Sequence, residues 1–157
     1  MKAATAKEIR QELNERTPKE LLDFCLRLSR FKKENKELLT YLLFDSADEE
    51  GYRQSVIVDM DEKFSLLNRS RLYLMTKGVR RILRDLRKYI RYSGNKETEV
   101  ELLLHYCTKL KAVKPNRHSA IQGLYDRTIL GAEKKIEKLH PDLQYDHYQR
   151  VKELKAR

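Results

Sequence analysis

Residues Arg69 to Tyr92 read RSRLYLMTKGVRRILRDLRKYIRY. At a helical turn of about 100° per residue, Leu72, Met75, Val79, Ile82, Leu83, Leu86 and Ile90 fall within an arc of about 100°, wide enough for a stripe that faces a core. Lys77, Arg80, Arg81, Arg84, Arg87, Lys88 and Arg91 fall in a second arc of about 120°, nearly opposite the first. Tyr73 shares the basic arc, and Tyr92 lies just beyond its edge. The stretch is an amphipathic helix with an unusually clean division of faces.

Outward from this helix, capping chemistry marks the boundaries of others. Thr17-Pro18-Lys19-Glu20 sets a side-chain acceptor before the first turn, Pro within it, and a Glu that reaches back. Ser46-Ala47-Asp48-Glu49 repeats the box, with acids where the helix dipole favours them. Asn68 or Ser70, Asn95 and Asn116 are caps for later helices; Gly94 ends the helix before Asn95, and Pro141 opens the last. Apolar spacing between these stops predicts about eight helices, near 4–15, 18–30, 34–44, 47–67, 70–92, 96–113, 118–139 and 141–155. Ser55-Val56-Ile57-Val58 has the β-branched character of a strand, yet Tyr52, Val56, Met60, Phe64 and Leu67 follow a 3.6-residue stripe, and helix is the expectation there.

Short links make such helices pack antiparallel or at steep angles, so the expected fold is all-α, one domain over 1–157, as stacked hairpins or an irregular bundle. A weak echo between Arg30-Phe31…Asn35-Lys36-Glu37 and Arg91-Tyr92…Asn95-Lys96-Glu97 points to the stacked version, with a pair length near that of HEAT-like or armadillo-like repeats. It bears on architecture and says nothing about activity.

Composition agrees with this class. Charged residues make up 37% of the chain, well above the roughly 25% usual in globular proteins. Five Gly and three Pro are too few for the many tight turns of an all-β fold. No apolar run approaches the length of a membrane span, so no membrane partner is expected. The start of the chain lacks a signal-peptide pattern, and a cytoplasmic location is the expectation. Cys25 and Cys107 each sit within an apolar helical pattern and are expected to be buried, reduced thiols.

The net charge of +10 is unevenly spread. Residues 69–92 hold nine Lys or Arg against one acid, whereas residues 32–68 hold five against nine. Like charges one helical turn apart repel, so the basic face forgoes the Glu–Lys pairs that would ordinarily decorate it. One source of relief is internal, from Asp45, Asp48, Glu49, Glu50, Asp59, Asp61 and Glu62. Another is a polyanion: guanidinium groups suit phosphates, and a flanking Tyr can stack on an unpaired base. The third is an acidic protein partner.

Other patterns carry less. Asp59-Met60-Asp61 has the look of a phosphotransfer or metal motif, but on a helix its two acids point about 200° apart and cannot hold one ion. Glu137-Lys138-Leu139-His140 has the spacing of a di-metal ligand pair without the second copy that such a centre requires, and His140 before Pro141 belongs at a helix end. His105 and Cys107 lie two apart and point to different faces; His118 and His147 occupy polar, loop-adjacent stretches. Gly51, Gly78, Gly123 and Gly131 inside helices point to close helix crossings. Tyr125, Tyr145 and Tyr148 are expected to pack with their hydroxyls reaching water. No nucleophile motif, phosphate-cradling glycine loop or paired CxxC is present. The expectation is a non-enzymatic helical interaction module without metal or cofactor, binding a protein partner of acidic character through Lys77, Arg80, Arg81, Arg84, Arg87, Lys88 and Arg91 with Tyr73 and Tyr92. The alternative is DNA or RNA, held by its phosphates on the same face.

Overall fold

A computed structural model describes residues 2–113 and 120–156. Among these residues there are eight α-helices and no strand. The expected caps at Asn116 and the histidine at 118 lie outside the described residues. The chain divides into two compact units, Met1–Phe44 and Asp45–Arg157.

The first unit holds α1 (Ala6–Asn14), α2 (Pro18–Phe31) and α3 (Lys33–Thr40), followed by a π-type turn at Tyr41–Asp45. Thr17 caps α2 as its sequence predicts, accepting from the Glu20 amide while the Glu20 carboxylate returns to the Thr17 amide. Thr5 and Glu8 make the same box for α1. α2 and α3 form a hairpin closed by Asn35, whose side-chain amide donates to the Leu28 carbonyl at 2.9 Å. Neither α1 nor α2 buries a single residue. Cys25 is therefore exposed, contrary to expectation: the apolar stripe it belongs to, with Leu22, Phe24 and Leu28, lies open.

The second unit holds α4 (Glu49–Ser65), α5 (Leu72–Ser93), α6 (Lys96–Ala112), α7 (Ala120–Ile136) and α8 (Pro141–Lys155). α6 is its hub. Leu102, Leu103 and Leu104 are consecutive, so on a helix they point in three directions about 100° apart. Only neighbours on several sides can cover all three, and α4, α5, α7 and α8 do so. Leu102, Leu104, Tyr106, Cys107 and Leu110 are wholly buried, each large side chain contributing roughly 1.5–3 kcal/mol. A hub touched by four helices is the arrangement of a bundle. In a repeat stack each unit meets only its neighbours, and the HEAT-like version gains no support from it.

α4 is helical through Ser55–Val58 and buries Tyr52, Val56, Met60 and Phe64, four of the five residues of the predicted stripe; Leu67 lies past the end of the helix and is half-buried. The Phe64 and Tyr106 rings meet at 5.5 Å, and the Tyr52 hydroxyl donates to the Tyr89 carbonyl at 2.9 Å. The N-cap of α4 is Asp48 and not Ser46, because the π-type turn and the residues after it occupy the expected first turn. The start of α5 also differs: Arg71 precedes it without a side-chain cap, and Asn68 turns its carbonyl oxygen to Ser70 instead. Gly94 ends α5 in the left-handed conformation at φ 66°, and Asn95 caps α6 by accepting from the Glu97 and Thr98 amides. His140 caps α8, with Pro141 in its first turn.

Lys111 of α6 holds the far end of α8. Its ammonium donates to the carbonyls of Glu153, Leu154 and Ala156, where the helix leaves acceptors unsatisfied and its dipole favours a cation. The Tyr125 hydroxyl adds a 2.7 Å bond to Leu154. Tyr125 is thus buried with its hydroxyl donating to backbone, whereas Tyr145 and Tyr148 stand exposed. None of the four helix-interior glycines marks a helix crossing. Gly51 leaves room for the Asp48 cap, and a Cβ on Gly78 would come within 2.5 Å of Leu67 Cδ2. Gly123 faces only Arg127 of its own helix, and Gly131 faces open space.

Candidate anion-binding face

α5 lies between α4, α6 and α7, and its buried side consists of Thr76, Val79, Ile82, Leu83, Leu86 and Ile90. Five of the seven predicted stripe residues are in that set. Met75 is half-buried, and Leu72 is 54% exposed because it belongs to the first turn, before the helix enters the core.

Burying that side turns the basic arc to solvent. Lys77, Arg80, Arg81, Arg84, Arg87 and Arg91 are all exposed, Lys88 and Tyr92 are half-buried, and Tyr73 is 73% exposed. Tyr92 stacks edge-on against Tyr89, with centroids 6.2 Å apart, and Lys88 lies 5.1 Å over the same Tyr89 ring. These two sit at the margin of the face; the other cations form the rest of it, with Tyr73 at its N-terminal end.

Five of the seven acids that could have neutralised the face are engaged elsewhere. Asp59 takes Lys63 at 2.6 Å, and Asp85, the one acid of α5, also faces Lys63, at 3.4 Å. Asp61 takes His105 Nε2 and Lys109 Nζ, each at 2.7 Å. Glu50 pairs with Arg53, and Asp48 caps its own helix. Glu49 accepts from the Ser93 and Thr98 hydroxyls, tying the start of α4 to the junction of α5 and α6. Among the described residues, Lys77, Arg80, Arg81, Arg84, Arg87 and Arg91 form no ion pair. Asp59 and Asp61 are taken up by Lys63, His105 and Lys109, and among the described residues no carboxylate of residues 45–62 pairs with Lys77 or with the exposed arginines of α5.

α7 adds a residue that the sequence did not nominate. Arg127 stands across a depression of about 630 Å³ from Arg80, Arg84, Arg87 and Arg91, with Leu83 and Leu124 at its floor. The signal for Arg127 was tertiary: its place beside the row depends on α7 packing next to α5. A second depression, of about 450 Å³, joins Tyr73, Thr76, Lys77 and Arg81 to the same Arg80 and Arg84.

The remaining candidates resolve into structural roles. Asp59 and Asp61 are both charge-paired on a helix, either side of buried Met60. For Asp61, burial works to raise its pKa, and the hydrogen bonds from His105 and Lys109 outweigh it, leaving the carboxyl below its ordinary value. His105 is thus a hydrogen-bond partner of Asp61, and Cys107 beside it is buried, with burial pushing its thiol up to about 12. His147 is 5% exposed, and its Nδ1 lies 3.6 Å from Glu101 Oε1, while Arg150 bonds the other Glu101 oxygen at 2.6 Å. Among the described residues no three His, Cys, Asp or Glu are grouped as a metal ion requires, and no helix is long and apolar enough to cross a membrane. No family model, curated protein or solved structure matches the chain.

Proposed function

We propose that the chain is a non-enzymatic α-helical binding module that holds nucleic acid by its phosphates on the outer face of α5. The observation that carries this reading is the row itself: six exposed cations, five of them arginine, at helical-turn spacing and without an ion pair among the described residues. Arginine offers a planar fork of donors that matches phosphate oxygens two at a time, and it stays charged at any physiological pH. A row of such groups on one helix is destabilised by its own repulsion, which bound phosphates relieve. Two free thiols accord with a reducing, cytoplasmic setting.

The test is charge reversal. Changing Arg80, Arg84 and Arg87 together to Glu should abolish binding to DNA or RNA at about 50 mM salt, where phosphate contacts are strong. The melting temperature should stay near that of wild type, since none of the three reaches the core. A wild type that binds no nucleic acid, yet captures an acidic protein through the same three arginines, would replace this reading with the protein-partner one.

A further inference from the structure

Tyr73, Lys77, Arg80, Arg84, Arg87 and Arg91 follow one another at intervals of four, three, four, three and four residues. On an α-helix that spacing keeps them on one line, a turn of about 5.4 Å apart, with the aromatic ring at one end. The line is bordered by the two depressions, which share Arg80 and Arg84. The larger sets apolar Leu83 and Leu124 beneath a rim of guanidinium groups.

A duplex presents its phosphates on a convex, polar exterior. It would touch the rim arginines and leave the Tyr73 ring, 73% exposed, without a partner. An unpaired nucleotide carries both kinds of surface, a charged phosphate and an apolar base face. We propose, resting on the phosphate-binding reading above, that the ligand is single-stranded nucleic acid laid along α5. An unpaired base stacks on Tyr73, the phosphates follow Lys77, Arg80, Arg84, Arg87 and Arg91, and Arg127 closes the α7 side.

Fluorescence anisotropy with three labelled probes tests this: a single strand of mixed sequence about 20 nucleotides long, its duplex, and heparin, a polyanion without bases; the length exceeds the site size of one binding fold. The single strand should bind at least about tenfold more tightly than the duplex. Tyr73→Ala should weaken the single strand by about 5- to 100-fold, the range for losing one stacked base, and leave duplex and heparin affinity unchanged. Tyr73→Phe should retain wild-type binding, and thermal melting should show all three proteins equally folded, since Tyr73 is exposed. Equal affinity for single strand and duplex, or a Tyr73→Ala protein that binds the single strand as wild type does, overturns the single-strand proposal; heparin binding lost in the triple Arg→Glu protein would then still uphold the phosphate reading. Failure of all three probes overturns both.

Discussion

Asp61 is hydrogen-bonded to both His105 and Lys109, and the consequence is measurable. Because its folded pKa lies below the ordinary value of 3.8, the stability it contributes is complete above that value and is lost as pH falls through the folded value. Asp61→Asn should therefore cost up to about 1 kcal/mol at pH 7, a modest figure because the pair is partly exposed. Urea denaturation of variant and wild type should converge well below pH 3.8. The two thiols should differ as sharply: Cys25 reacts with a thiol reagent in the native state, and Cys107, buried and held at about 12, reacts only on unfolding. Gly131 faces open space at an ordinary helical φ, so Gly131→Ala should stabilise the chain by about 0.4–1 kcal/mol, read as a raised melting temperature. Nothing in the sequence separated Gly131 from Gly78, because the difference lies in Leu67, a residue from another element.

At the scale of the element, α5 was legible because two independent patterns, the apolar and the basic, agree on one period. Its end was legible too, since Gly94 and Asn95 are local signals that act on their own backbone. The start of α4 was not: Ser46 and Asp48 are both competent caps, and the π-type turn that chooses between them leaves no mark in the sequence. Cys25 was misplaced for a related reason. An amphipathic pattern shows which face of α2 is apolar, but burial requires a second surface against it, which periodicity does not supply. The row itself yields a stability prediction. Replacing Arg80, Arg84 and Arg87 by Gln removes repulsion at the i,i+4 pairs Arg80–Arg84, Arg84–Lys88 and Arg87–Arg91 and ends no ion pair among the described residues. The triple Gln protein should melt at or above the wild-type temperature, with each relieved pair giving about 0.2–0.5 kcal/mol. A clear loss of stability would mean that these arginines are bound to internal acids.

On the scale of the whole molecule, the helical class and nearly every helix followed from spacing and caps. The hub position of α6 was implicit in its three consecutive leucines. Arg127 could not be read this way, because membership of the face depends on which helices lie side by side. Charge segregation has a similar division: composition reveals that residues 69–92 are basic and 32–68 acidic, and only the fold reveals that Asp59 pairs with Lys63 and Asp61 with α6. Phosphate binding on the exposed cationic face of this five-helix unit, as proposed, would depend on salt. The most direct measurement is the slope of log Kobs against log salt concentration for a single-stranded probe. Wild type should give a slope of about −3.5, for five phosphates at about 0.7 each, and the triple Gln protein a slope shallower by about 2. A wild-type slope near zero, or one left unchanged by the three substitutions, would contradict phosphate binding by the α5 row.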